Sequence, residues 1–137
     1  MPLAGKVRDA MDTNIPLVEA GAPVSEVLKA MLKSEVWSVV VVRKGLPLGV
    51  VTDHDILRKC VGKGFEPSRM TAGEIMSAPL ILIDADATIG EAMTKMVEKD
   101  IRRLYIAENG KIAGRITEKS VLRNTLGVML TLSSGAL

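Results

Sequence analysis

The chain has 137 residues, a net charge of +2 and a pI near 8.8. That length allows one compact domain with a real core, and the mild basicity permits an anionic partner without requiring one. Trp37, Phe65 and Tyr105 are the only aromatics, which argues against base-stacking nucleic-acid modules; Cys60 is the only cysteine, which excludes an internal disulfide and fits a reducing cytoplasm. No N-terminal signal pattern is read, and no apolar run approaches the length of a membrane span.

In chain order, a short apolar segment, Ile15–Val18, precedes an amphipathic helix. Val24, Val27, Leu28, Met31 and Leu32 recur at helical spacing and predict one inward stripe. Pro23 suits the entrance of that helix. The apolar run Val39–Val42 predicts a strand covered on both faces, and a turn at Arg43–Gly45 leads into a returning strand, Leu48–Thr52. A second helix is predicted to start near Asp53, and Gly62–Thr71 reads as a connector.

The same order then repeats. Leu80–Ile83 is a short strand, and Thr88 with Glu91 forms a capping box before the stripe Ile89, Ala92, Met93, Met96 and Val97. Met31, Met93 and Met96 are expected in the core. Strands follow at Leu104–Ala107 and Ala113–Thr117, joined through the hairpin signal Asn109-Gly110. A last helix starts near Glu118, and Leu132–Leu137 reads as a frayed tail.

Shifted by 65 residues, Val7–Val61 overlies Ala72–Leu126 without a gap, and 11 of the 55 positions are identical, among them Met11/Met76, Gly49/Gly114, Thr52/Thr117 and Arg58/Arg123. Chance would give about three or four. The prediction is therefore an α/β (α+β) fold of two pseudo-twofold-related β-α-β-β-α repeats, 7–61 and 72–126, with a linker at 62–71 and a helix end and tail at 127–137. Each half is marginal in size, so a shared core is expected.

The chain resembles a tandem CBS-domain pair (a Bateman module). The resemblance rests on the paired starts Val7-Arg-Asp-Ala-Met11 and Ala72-Gly-Glu-Ile-Met76, on the helix stripes, and on Gly49-Val-Val-Thr52-Asp-His-Asp55 with its counterpart Gly114-Arg-Ile-Thr117-Glu-Lys-Ser120. It covers nearly the whole chain and implies a stand-alone regulatory module, without catalysis. Such a module binds an adenosine-containing ligand (AMP, ADP, ATP, S-adenosylmethionine or NAD) in a cleft between repeats and commonly dimerises. No cofactor is required by this reading, no metal site is read, and the effector protein is unknown.

By that resemblance Asp55 grips the ribose diol, Thr52 bonds the ribose or the α-phosphate, and Gly49 lets backbone approach a flat ligand. An ionised carboxylate suits a diol because it can accept from both hydroxyls. The helix after Thr52 would add its first N–H groups near the phosphate. Met76, Pro79 and Ile81, with Ile101, Arg102 and Arg103, would hold base and phosphates from the opposite repeat. Equally, Thr52-x-x-Asp55 is a capping box that needs no ligand. One of the two arginines can instead pair with Glu98 or Asp100 at the surface. The second pseudo-equivalent site is degenerate: Ser120 stands for Asp55 beside Thr117, and Trp37 and Ser38 stand for Arg102 and Arg103. Trp37 would then stack on a base, plug the second cleft or sit in a dimer interface.

Two other functions compete. Mild basicity and the cluster Arg58, Lys59, Lys63 and Arg69 suggest a nucleic-acid-binding protein, against which the scarcity of aromatics weighs. An oligomerisation scaffold with an empty cleft is the other, and apolar second-helix faces near Ile56, Val121 and Leu122 would pair in a homodimer.

Overall fold

The computed structural model describes residues 5–133. The first repeat supplies β1 (Leu17–Glu19), α1 (Val24–Ser34), β2 (Ser38–Arg43), β3 (Leu46–Thr52) and α2 (Asp53–Lys59). A short helix, α3 (Ala72–Ile75), opens the second repeat, followed by β4 (Leu82–Asp84), α4 (Ile89–Glu98), β5 (Arg103–Glu108), β6 (Lys111–Thr117) and α5 (Glu118–Ser133). Leu132 and Ser133, expected in a frayed tail, close α5 instead; residues 134–137 lie outside the described residues.

Each repeat forms a three-stranded sheet, ordered β1-β2-β3 and β4-β5-β6. The outer strands β1 and β4 pair parallel with the central strands, and the hairpins pair antiparallel, with Val40 opposite Val50 and Tyr105 opposite Arg115. The hairpin turns hold Lys44-Gly45 and Asn109-Gly110, and all four residues have positive φ. That backbone matches the right-handed twist of the flanking strands, and glycine adopts it without strain. β2 is buried along Ser38–Val42, as its unbroken apolar run predicts.

The compact units do not coincide with the sequence repeats. One unit comprises Asn14–Leu80, and the other comprises Met1–Thr13 with Ile81–Leu137. The start of each repeat thus completes the other repeat's sheet. In the first unit, Ala72 N–H donates to Ala22 O (2.8 Å), and Val50 and Ser77 exchange backbone bonds of 3.0 and 2.8 Å. In the second, Val7 N–H donates to Ala87 O (2.9 Å), and Asp12 and Arg115 exchange bonds of 2.8 and 2.9 Å. Every one of these pairs maps onto its counterpart at the 65-residue offset.

Each unit has its own buried cluster, and each cluster draws on both sequence repeats. Val24, Val27, Met31, Val39, Val41 and Ile56 gather with Ala72 and Ile75 in one. Ile89, Met96, Leu104, Ile106 and Ile116 gather with Val7 and Ala10 in the other. The exchanged segment supplies the apolar cover that each half lacks, at about 1.5–3 kcal/mol per fully buried large side chain.

Three helix residues depart from their predicted burial. Leu32, Met93 and Val97 sit on the inward stripes by spacing, yet they are exposed. A three-stranded sheet is narrow, and within a unit it covers only the centre of the stripe: Val24, Val27 and Met31 on α1, and Ile89, Ala92 and Met96 on α4. Likewise Ile56 and Val121 are buried, whereas Leu57 on α2 and Leu122 on α5 are exposed.

Candidate functional site

β3 ends at Thr52, whose extended backbone makes it the N-cap of α2. Thr52 Oγ1 accepts the Asp55 N–H at 3.1 Å, and Asp55 Oδ2 accepts the Thr52 N–H at 3.0 Å. The local capping box read from the sequence is therefore formed. Asp55 is only 6% exposed.

Its second oxygen faces two side-chain donors. Asp55 Oδ1 accepts the Ser77 hydroxyl at 3.0 Å and lies 3.1 Å from Lys59 Nζ. The same ammonium donates to Ile75 O at 3.1 Å and to Ser77 Oγ at 3.4 Å. Burial works to raise the carboxyl's pKa, but the Thr52 N–H, the Lys59 ammonium and the Ser77 hydroxyl outweigh it and hold Asp55 below the ordinary carboxylate range. The result is a buried, ionised acid, with one oxygen fixed to the helix start and the other held by side chains that can move.

Lys59 and Ser77 were not singled out as site residues from sequence. Lys59 had a readable signal, because it stands four residues after Asp55 on one helix face. Ser77 has no local signal, since it lies 22 residues away and reaches Asp55 only through the segment bridge to Val50.

Other expectations change in detail. The close approach that Gly49 permits is to Met76 and Ser77: a Cβ there would stand 2.6 Å from Ser77 O and 2.9 Å from Met76 Sδ. The first N–H groups of α2 are also engaged. Asp53 N–H donates to Trp37 O (3.2 Å), His54 N–H to Asp53 Oδ1 (2.8 Å), and Asp55 N–H to Thr52. No donor of this first turn is left over for the expected phosphate.

Gly49, Thr52, Asp55, half-buried Met76 and exposed Pro79 belong to the first unit; Ile81, Ile101, Arg102 and Arg103 belong to the second. Ile81 and Ile101 pack against the second unit's core. Arg103 opens β5 opposite Thr117 and is half-buried, whereas Arg102 is exposed. Neither arginine pairs with Glu98 or Asp100 among the described residues.

The pseudo-equivalent corner keeps the cap without the charge. Ser120 Oγ accepts the Thr117 N–H at 2.8 Å, Thr117 Oγ1 accepts the Ser120 N–H at 3.0 Å, and the Ser120 hydroxyl donates to Thr117 O at 3.0 Å. Ser120 is 3% exposed. The two residues that stand for the arginines differ: Ser38 is buried in β2, and Trp37 is half exposed.

Outside this corner, His54 is exposed, and Cys60 is fully buried with its thiol pKa pushed up by desolvation. Arg123 lies 3.4 Å from Asp12. In the basic cluster, Lys59 is held by Asp55 and Arg69 lies 3.5 Å from Glu66, so two of its four cations are already neutralised. Among the described residues no group of three or more His, Cys, Asp or Glu is placed to hold a metal ion, and no helix is long and apolar enough to cross a membrane. A cavity of about 420 Å³ lies along the connector, lined by Phe65, Glu66, Arg69, Met70 and Glu74, and none of the expected ligand residues lines it.

A family model described as CBS domain matches residues 7–62 and 72–127. An uncharacterised protein of Methanopyrus kandleri is 38% identical over 100 residues, which cover 72% of this chain and 51% of the relative. Hypoxic response protein 1 of Mycobacterium tuberculosis is 33% identical over 76 residues, covering 56% of this chain and 53% of the relative. The match thus spans about half the length of these relatives. The crystal structure of an uncharacterised conserved protein from Pyrococcus horikoshii superposes with a TM-score of 0.81 at 28% identity, covering 91% of this chain and 95% of that one.

Proposed function

This chain belongs to the CBS-domain family, and on that premise we propose that it is a regulatory module that binds an adenosine-containing ligand (AMP, ADP, ATP, S-adenosylmethionine or NAD) through Asp55. Tandem CBS pairs are in general regulatory and non-catalytic, and they generally bind adenosine ligands. The observation that carries the reading is the buried, ionised Asp55, whose Oδ1 is held only by side-chain donors. A sugar diol supplies two hydroxyl donors of the kind that oxygen already accepts. Thr52 would lie beside the sugar, with Gly49, Met76 and Pro79 near the base. Ile81, Ile101, Arg102 and Arg103 are the second unit's candidates for the same ligand class, and guanidiniums with no ion pair among the described residues suit phosphates. The Thr117–Ser120 corner would be the degenerate counterpart.

Thermal melts with the five ligands test this. A ligand at about one hundred times its dissociation constant adds roughly 2.7 kcal/mol. The expected outcome is that one or more raises the midpoint and that Asp55→Ala abolishes the rise, while Ser120→Ala leaves it. An unmoved midpoint with all five at millimolar concentration refutes the ligand reading.

A second reading, the oligomerisation scaffold, is favoured by the outer face of α5. Leu122, Leu126, Met129 and Leu130 are each at least half exposed and recur at helical spacing. We propose self-association through this face, with sedimentation of the wild type and of Leu126→Glu as the check. A homodimer that becomes monomeric in the variant is the expected outcome.

A further inference from the structure

Asp55 Oδ1 is the oxygen that the helix start leaves free, and it is already occupied. A diol donating both hydroxyls to that oxygen must dislodge both the Ser77 hydroxyl and the Lys59 ammonium. The hydroxyl can rotate away at small cost. The ammonium is a full charge beside a buried carboxylate, and removing it without a substitute leaves both ions uncompensated. Lys59 is built to move, nevertheless: it ends α2, its side chain is 38% exposed, and its stem is flexible.

A phosphorylated ligand resolves this conflict. Its phosphate would be repelled by ionised Asp55 unless a cation stood between them, and Lys59 is the cation in contact with that acid. We propose that Lys59 is an internal counter-ion. It caps Asp55 in the ligand-free chain and passes to the phosphate when a ribose diol takes Oδ1, so that the site selects 5′-phosphorylated nucleosides over bare nucleosides. This rests on the reading of Asp55 as the sugar acid. The sequence is consistent with such coupling: 65 residues on, Ser120 replaces Asp55 and Asn124 replaces Lys59, so acid and counter-ion are lost together. A simple staple between α2 and the Ile75–Ser77 segment would use the same contacts, and the experiment must separate the two roles.

Calorimetric titration with adenosine and AMP does so, using the wild type, Lys59→Met and Lys59→Arg. The wild type should bind AMP at least about tenfold more tightly than adenosine. In Lys59→Met adenosine should gain and AMP lose, bringing the two within about threefold, while Lys59→Arg keeps the preference. A methionine variant that retains the wild-type ratio overturns the proposal and leaves a staple. Equal affinities in the wild type overturn it while the nucleoside reading stands; no binding of either compound overturns the counter-ion, and the melts with all five ligands decide the nucleoside reading. In the unmutated chain, phosphorus-31 titration of bound AMP provides a check that needs no variant: the phosphate should titrate below free AMP, and an unshifted titration overturns the proposal.

Discussion

The corners at Thr52–Asp55 and Thr117–Ser120 solve one structural problem with different chemistry. Both end a β-strand, cap the following helix, and close the cap by a reciprocal pair of bonds. Serine does this with a neutral hydroxyl that also donates a hydrogen bond to Thr117 O. Aspartate does it with one oxygen and keeps a second, charged oxygen that the cap does not need. That surplus acceptor, with the Ser77 and Lys59 donors on it, is the difference between the corners. It teaches that capping alone does not explain the acid.

The comparison can be broken most forcefully by moving the charge. Ser120→Asp buries a carboxylate where Asn124 stands in place of Lys59 and Asp12 in place of Ser77. An unpaired buried charge costs about 3–5 kcal/mol, which denaturant unfolding will read as a lower midpoint. The converse exchange, Asp55→Ser, keeps the cap and removes the charge. It should cost less than about 2 kcal/mol in the ligand-free chain yet abolish any ligand-induced rise in melting midpoint. If the rise survives, the surplus oxygen is not the binding group.

A smaller effect comes from pH. Asp55 is held below its ordinary value in the folded chain, so its contribution is complete above the unfolded value and is lost as pH falls through the folded one. Stability should therefore decline below about pH 5, and part of that decline should be absent in Asp55→Ser. Asp86, lowered first by its hydrogen bond to Arg8, is fully exposed, and its contribution is correspondingly screened. Acid denaturation followed side by side in the two chains checks the difference.

Local sequence carried much of this protein. Continuous apolar runs and period-3.6 stripes, the Asn109-Gly110 turn, and the boxes at Thr52–Asp55 and Thr88–Glu91 are short-range, and each is formed. A further box, Thr71–Glu74, starts α3 within what reads as the end of a connector, and its Thr-x-x-Glu spacing was legible there. Exposure of Leu32, Met93 and Val97 was not legible, because spacing fixes which residues share a stripe and not how wide a surface covers it.

The sequence by itself determined the duplication, the order of elements, and the loss of an acid at one of two equivalent corners, because each follows from residue identity and short-range spacing. Only the tertiary structure decided which half each leading segment completes. The two halves are alike enough that a segment carries the same apolar residues whichever sheet it joins, so the choice leaves no trace in local pattern. That choice places Ser77 and the Ile75 carbonyl beside Asp55 and Lys59, and so it determines the surroundings of that buried carboxylate.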